Sequence, residues 1–138
     1  RFDKIDLEKY LERIISTLLI GRDIKLSINS DDINEKISFL IPIGLILIEC
    51  VNNSLKHGFI GQKEDSEIDI LIVKSEGHFV VTYKDNGCGY DDYMLNSIEG
   101  LDTFGIILII SLAEQVNGNI ELSNDNGAKM VLTVVNKA

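Results

Sequence analysis

Glu49-Cys50-Val51-Asn52-Asn53-Ser54-Leu55-Lys56-His57 is the stretch on which the reading of this chain turns. It continues an apolar run, Ile41-Pro42-Ile43-Gly44-Leu45-Ile46, and the pattern predicts a helix from near Pro42 to about His57, stopped by Gly58. Proline suits a first helical turn, where its missing N–H has no partner to lose. Glu49 and Asn53 lie four residues apart and Lys56 three further on, so a regular helix puts all three on one face. An unpaired carboxylate or amide among apolar residues is costly to bury. Such a face either opens onto a polar ligand or is a solvated stripe, and this helix alone does not decide between them.

Upstream, Asp6 caps a helix whose apolar positions (Leu7, Tyr10, Leu11, Ile14, Ile15, Leu18, Leu19) follow the 3.6-residue period until Gly21. Ile24, Leu26 and Ile28 alternate with polar residues as a half-buried strand does, and Ser30 to Lys36 reads as a connecting loop. Downstream, Gly61 to Ser66 is a polar link. Two strands follow (Ile68, Ile70, Ile72, then Phe79, Val81, Tyr83), with Glu76-Gly77 as the hairpin turn between them. Asp85 to Asp102 is a long segment rich in Gly and Asn, of the kind that forms a functional lid. A helix from about Gly105 to Val116, with Gly118 as its C-cap, precedes a final hairpin. Its strands start at Ile120-Glu121-Leu122 and Met130, and Asp125-Asn126-Gly127 turns between them. The order predicts one domain over residues 1–138, a two-layer α/β sandwich whose mixed sheet has its helices on one face. No internal repeat interrupts it.

A net charge of −9 argues against non-specific nucleic-acid or anionic-membrane binding, both of which depend on clustered Lys and Arg. No uninterrupted apolar run reaches the roughly 20 residues of a membrane span. The charged start, Arg1 to Glu12, does not read as a signal peptide. Opening on Arg, the chain is expected to be a piece of a longer protein, working in the cytoplasm. Cys50 and Cys88 have no metal-ligand spacing and are expected to be free thiols.

Two further clusters carry chemistry. In Tyr83-Lys84-Asp85-Asn86-Gly87-Cys88-Gly89-Tyr90, an acid follows a strand directly, and the glycines let the backbone turn and approach a ligand. A carboxylate there can accept from an amino group such as adenine offers, though Asp-Asn-Gly is also a common turn. In Thr103-Phe104-Gly105-Ile106, a helix N-terminus presents backbone N–H groups suited to phosphate, or simply an ordinary cap.

In this order and spacing the three clusters resemble the nucleotide-binding boxes shared by histidine kinases, DNA gyrase, Hsp90 chaperones and MutL proteins. Glu49, Asn53, Lys56 and His57 match the N box. Asp85-x-Gly87-x-Gly89 matches the first glycine box and Gly105 the second. Ile41-Pro42-Ile43-Gly44-Leu45-Ile46 and Leu112-Ala113-Glu114-Gln115-Val116-Asn117-Gly118-Asn119-Ile120 look like the histidine-kinase branch that includes HWE-type enzymes. The resemblance runs from about Asp6 onward.

It implies the Bergerat-type ATP-binding fold, with ATP and Mg²⁺ as cofactors. Transfer of the γ-phosphoryl group would be to a histidine on a separate upstream dimerisation domain, and from there to a response regulator. Asn53 would hold Mg²⁺, and Glu49 would orient the attacking group. Lys56 would pair with phosphate, and His57 would stack on adenine. Asp85 would accept from the adenine amino group, with Gly87 and Gly89 admitting the base. Thr103, Phe104, Gly105 and Ile106 would open the last helix toward phosphate, and Asp91 to Thr103 would close over the nucleotide. Two departures stand out: the second box has a single Gly105, and Ala128 follows Gly127 where relatives often have Thr. Neither His57 nor His78 resembles a phosphoacceptor, so this chain alone is expected to bind ATP without autophosphorylation. An anti-sigma-type serine kinase or a non-catalytic nucleotide-sensing module would share the same pocket.

Overall fold

The computed structural model describes residues 4–62, 64–91, 95 and 104–135. Strand β1 (Lys4–Asp6) leads into α1 (Leu7–Leu18). Asp6 caps that helix, its carboxylate accepting from the N–H groups of Glu8 at 2.9 Å and Lys9 at 3.3 Å. Leu7, Leu11 and Ile15, spaced four apart, form its fully buried stripe. Strands β2 (Ile24–Ser30) and β3 (Asn34–Lys36) follow, then α2 (Ile37–Asn53), which runs into a π-helical turn over Ser54–Gly58. Beyond it lie β4 (Ser66–Ser75), β5 (His78–Asp85), α3 (Phe104–Gln115), β6 (Gly118–Asn124) and β7 (Ala128–Val135).

Five strands form a mixed sheet in the order β2-β4-β5-β7-β6. Only β2 and β4 are parallel, because the chain between them must cross over through α2, while β5, β7 and β6 join antiparallel. The inward residues Ile68, Ile70, Ile72, Phe79, Val81, Met130, Leu132 and Val134 are buried beneath Leu40, Ile43, Ile46 and Leu47 of α2 and Ile109 of α3. Each such side chain contributes about 1.5–3 kcal/mol through burial. Leu71 and Val73, on the opposite face of β4, are exposed, so the sandwich has the expected two layers.

Three expectations change. Ser30 to Lys36 is not all loop: Asn34, Glu35 and Lys36 pair with Asp6, Ile5 and Lys4 in a two-stranded ladder. The ladder is three residues long and sets only Ile5 against the core, too short for a hydrophobic alternation to announce it. Helix α2 starts at Ile37, not near Pro42. Pro42 deprives the Ser38 carbonyl of its helical donor, and Ser38 is exposed, so water can take that place. The left-handed residue closing α3 is Asn117, at φ 53°, which leaves Gly118 free to begin β6. Ile37–Gly58 is also one helix of 22 residues, long and apolar enough to cross a membrane by length and composition, although half of its most apolar window is buried within this fold.

Candidate functional site

The site forms where the end of α2 meets the end of β5. At Ser54 the helix widens: the Phe59 N–H bonds the Ser54 carbonyl five residues back, at 2.8 Å. Such π turns often occur at functional sites. This one delivers Gly58 onto Asp85, so close that a Cβ on Gly58 would stand 2.9 Å from Asp85 Oδ2. The glycine segment after Asp85 crosses directly over the same turn. The Cys88 N–H bonds the Gly58 carbonyl at 2.9 Å, and a Cβ on Gly87 would be 2.3 Å from that oxygen. Only a residue without a side chain allows the approach.

Asp85 is 4% exposed. Its Oδ1 accepts the N–H groups of Gly87 at 3.0 Å and Ala128 at 2.9 Å, and its Oδ2 accepts the Ser54 hydroxyl at 2.6 Å. Ser54 Oγ is also 2.6 Å from the Tyr83 hydroxyl. Burial pushes the Tyr83 and Tyr90 hydroxyls and the Cys50 thiol upward, with Asp85 adding to each shift, so all three stay neutral at ordinary pH. Asn124 clamps the far rim: its amide accepts from the Tyr90 N–H at 2.8 Å and donates to the Tyr90 carbonyl at 2.7 Å.

Between these walls lies a narrow cleft open to solvent, whose enclosed part holds only about 20 Å³. Asn53, His57, Asp85 and Gly89, drawn from two separate sequence clusters, all line it. The remaining lining residues are Gly58, Tyr90 and Ala128. Asn53 Nδ2 is buried and has no hydrogen-bond partner. A native structure rarely leaves such a group unpaired unless a ligand, ion or water meets it. Which end of the amide faces the cavity depends on what it meets there.

Glu49 stands one turn before Asn53 and reaches the start of α3: a Cβ on Gly105 would lie 2.7 Å from Glu49 Oε2. The first and third clusters are thus joined through this contact. Lys56 is exposed and outside the cavity lining. Ile106 is buried. Phe104 is the first residue of α3, and Thr103 lies outside the described residues, as does Asp91 to Thr103 apart from Asp91 and Leu95. Among the described residues no group of three or more His, Cys, Asp or Glu could hold a metal. Asn53 is the side-chain amide at the cavity that could serve a hard cation as an oxygen ligand.

Sequence reasoning passed over Ser54, Gly58, Tyr90 and Asn124. Ser54 continues the buried face of Leu47 and Cys50 at helical spacing, and Tyr83 and Asp85 share the inward side of β5; those signals were present. Nothing in the chain announced Asn124.

Comparison with protein-family profiles matches residues 40–137 to the histidine kinase-, DNA gyrase B- and HSP90-like ATPases. The chain belongs to this ATPase family. Comparison with curated proteins gives no match. Among solved structures, the histidine kinase domain of the blue-light activated histidine kinase EL346 from Erythrobacter litoralis superposes with a TM-score of 0.81 at 21% identity, over 95% of this chain and 61% of that one. The ATP binding domain of PrrB from Mycobacterium tuberculosis gives 0.76 at 22% identity, over 98% of this chain and 97% of that one. The catalytic domain of histidine kinase ThkA gives 0.75 at 14% identity, over 96% and 93%. The mixed sheet with three helices is the fold of these catalytic domains.

Proposed function

We propose that this ATPase-family domain is the ATP-binding catalytic domain of a two-component sensor histidine kinase, and that its cavity holds the adenine of ATP. The observation that carries the reading is the buried Asp85 carboxylate facing a narrow cavity that also receives the unpartnered amide of Asn53. A flat base suits the slot, and an exocyclic amino group suits an acceptor already fixed by three protein donors. The fold shared with the ATP binding domain of PrrB and with the histidine kinase domain of EL346 supports the kinase branch.

Each residue then has a task. Asp85 accepts from the base, and His57, at the cavity wall, packs its ring against it. Asn53 holds Mg²⁺ through its amide oxygen. When bound, Mg²⁺ neutralises phosphate charge, which is most of what phosphoryl transfer requires besides positioning. Glu49, poised between Asn53 and the N-terminus of α3, orients the incoming imidazole, whose unprotonated nitrogen attacks while the N–H on the other ring nitrogen gives up the proton to a base. Gly105 and Ile106 offer their backbone N–H groups to the phosphates, joined by Phe104 and Thr103. Lys56, solvated and mobile at its tip, approaches the phosphates as a point charge.

The acceptor histidine belongs to a separate dimerisation domain, from which a response regulator is phosphorylated. Titration calorimetry with ADP and Mg²⁺ tests the first half of this reading. For the second, the domain is mixed with labelled ATP and a dimerisation helix pair. Acid-labile label on a histidine of that helix supports the kinase, and acid-stable phosphoserine or no transfer at all defeats it.

A further inference from the structure

We propose that Ser54 is a positioning residue that sharpens the base selectivity of the cavity: by donating to Asp85 Oδ2 it holds the carboxylate and keeps water off it, leaving one lone pair to meet the ligand directly. This deepens the adenine reading above and rests on it.

A carboxylate has about four lone-pair directions. Two on Oδ1 take the N–H groups of Gly87 and Ala128. One on Oδ2 takes Ser54 at 2.6 Å. The fourth belongs to Oδ2, which lies over Gly58, and Gly58 and Asp85 both line the cavity. The direction of the hydroxyl protons follows from distance. Ser54 has one proton and three possible acceptors, the Cys50 carbonyl at 3.3 Å, the Tyr83 hydroxyl at 2.6 Å and Asp85 Oδ2 at 2.6 Å; the short bond to a carboxylate prevails. Tyr83, at 2.6 Å, must then donate to Ser54 Oγ. Ser54 and Tyr83 are both about 1% exposed or less, so no bulk water competes for these protons.

The relay Tyr83 to Ser54 to Asp85 thus leaves no gap for water, and the ligand meets the acceptor-only carboxylate directly. An exocyclic amino group meets a lone pair and bonds. A carbonyl at the same position, as in hypoxanthine, meets lone pair against lone pair. Without the serine hydroxyl, Oδ2 gains a second open direction and Tyr83 loses its acceptor. Water entering the gap can present either a proton or a lone pair, so the direct contact no longer discriminates as sharply.

The test measures ADP and IDP affinities, each with Mg²⁺, on wild-type chain, Ser54→Ala and Tyr83→Phe. Wild type is expected to prefer ADP by at least about tenfold. Ser54→Ala is expected to bring the ratio below about threefold, and Tyr83→Phe to lower it less, because Ser54 still donates. A merely structural role weakens both ligands together; an unchanged ratio in Ser54→Ala overturns the proposal. Should that variant not fold, Tyr83→Phe decides, with an unchanged ratio again overturning it. Wild type binding ADP and IDP equally defeats the selectivity claim alone, whereas wild type binding neither removes the adenine reading beneath it.

Discussion

Replacing Asp85 by Asn exchanges one acceptor oxygen for a donor in nearly the same volume, and the neighbours dictate which one. Gly87 and Ala128 both donate to Oδ1, so the amide keeps its oxygen there and places its NH₂ where Oδ2 was. That NH₂ faces Ser54 Oγ, which can accept it if the serine proton turns to the Tyr83 hydroxyl, 2.6 Å away, or to the Cys50 carbonyl, 3.3 Å away. The fold thus loses one charge-assisted bond and keeps weaker substitutes, a cost of about 1–2 kcal/mol. The ligand side suffers more. A bond from the base to a charged acceptor, about 1.5–3 kcal/mol, disappears, and two donors now oppose each other, another 1–3 kcal/mol or so. Together these predict a loss of about 3–5 kcal/mol in ADP binding, or roughly two to four orders of magnitude in Kd. Titration calorimetry with ADP and Mg²⁺ reads the affinity, and thermal melting of the same samples reports the fold. A folded Asp85→Asn variant that binds ADP within about threefold of wild type would refute the placement of the base against this carboxylate.

Asn53→Ala is expected to leave nucleotide binding without Mg²⁺ nearly unchanged and to abolish the gain that Mg²⁺ provides, whereas Glu49→Gln should bind normally and fail in transfer to the dimerisation helix; equal Mg²⁺ dependence in both variants would contradict these roles. Gly127→Ala tests the packing behind Asp85: at φ 138° a Cβ would stand 2.0 Å from the Asp85 backbone oxygen. Left-handed strain and a backbone clash together cost about 3 kcal/mol or more, so the melting temperature should fall by roughly 10 °C, and a shift under about 2 °C would contradict the packing. The exposed Lys84–Asp125 pair, 3.0 Å apart, holds the Asp125 carboxyl below its ordinary range, first through the hydrogen bond and then through charge. Its support is therefore present above the unfolded-state carboxyl range and fades as pH falls through the lowered folded value. Asp125→Asn should slightly lower the melting temperature at neutral pH and leave it unchanged in strong acid, and the reverse order would show that the sign is wrong.

Most of the fold was legible because its elements bury one face each. The spacing of Leu7, Leu11 and Ile15 and the alternation of Ile68, Ile70 and Ile72 or Phe79, Val81 and Tyr83 encode burial directly, and these residues are buried in the structure. Where an element is only three residues long, the sequence is nearly silent: β1 sets only Ile5 against the core, and no repeat of side chains marks it or β3. Pro42 misled for a different reason. A proline at the start of a helix and one whose lost hydrogen bond is left to water look the same in sequence, and only the exposure of Ser38 separates them.

The site divides along the same line. Its one-residue signals, an acid at a strand end and glycines where backbones touch, could be read because each needs a particular residue type at its own position. Its polarity could not, because that depends on how far α2 slides along β5. Ser54 stands on the buried side of its helix and Tyr83 on the buried side of its strand whatever the offset between them; a hydrogen bond forms only when the offset brings both to Asp85. The π turn works against a helical wheel in the same way. A wheel drawn at constant pitch does not foresee that the widened turn spends its extra residue on bringing Gly58 over Asp85. Motif residues therefore tell which chemistry the cavity supports, and the helix–strand register, fixed by core packing far from any motif, determines which way its hydrogen bonds point.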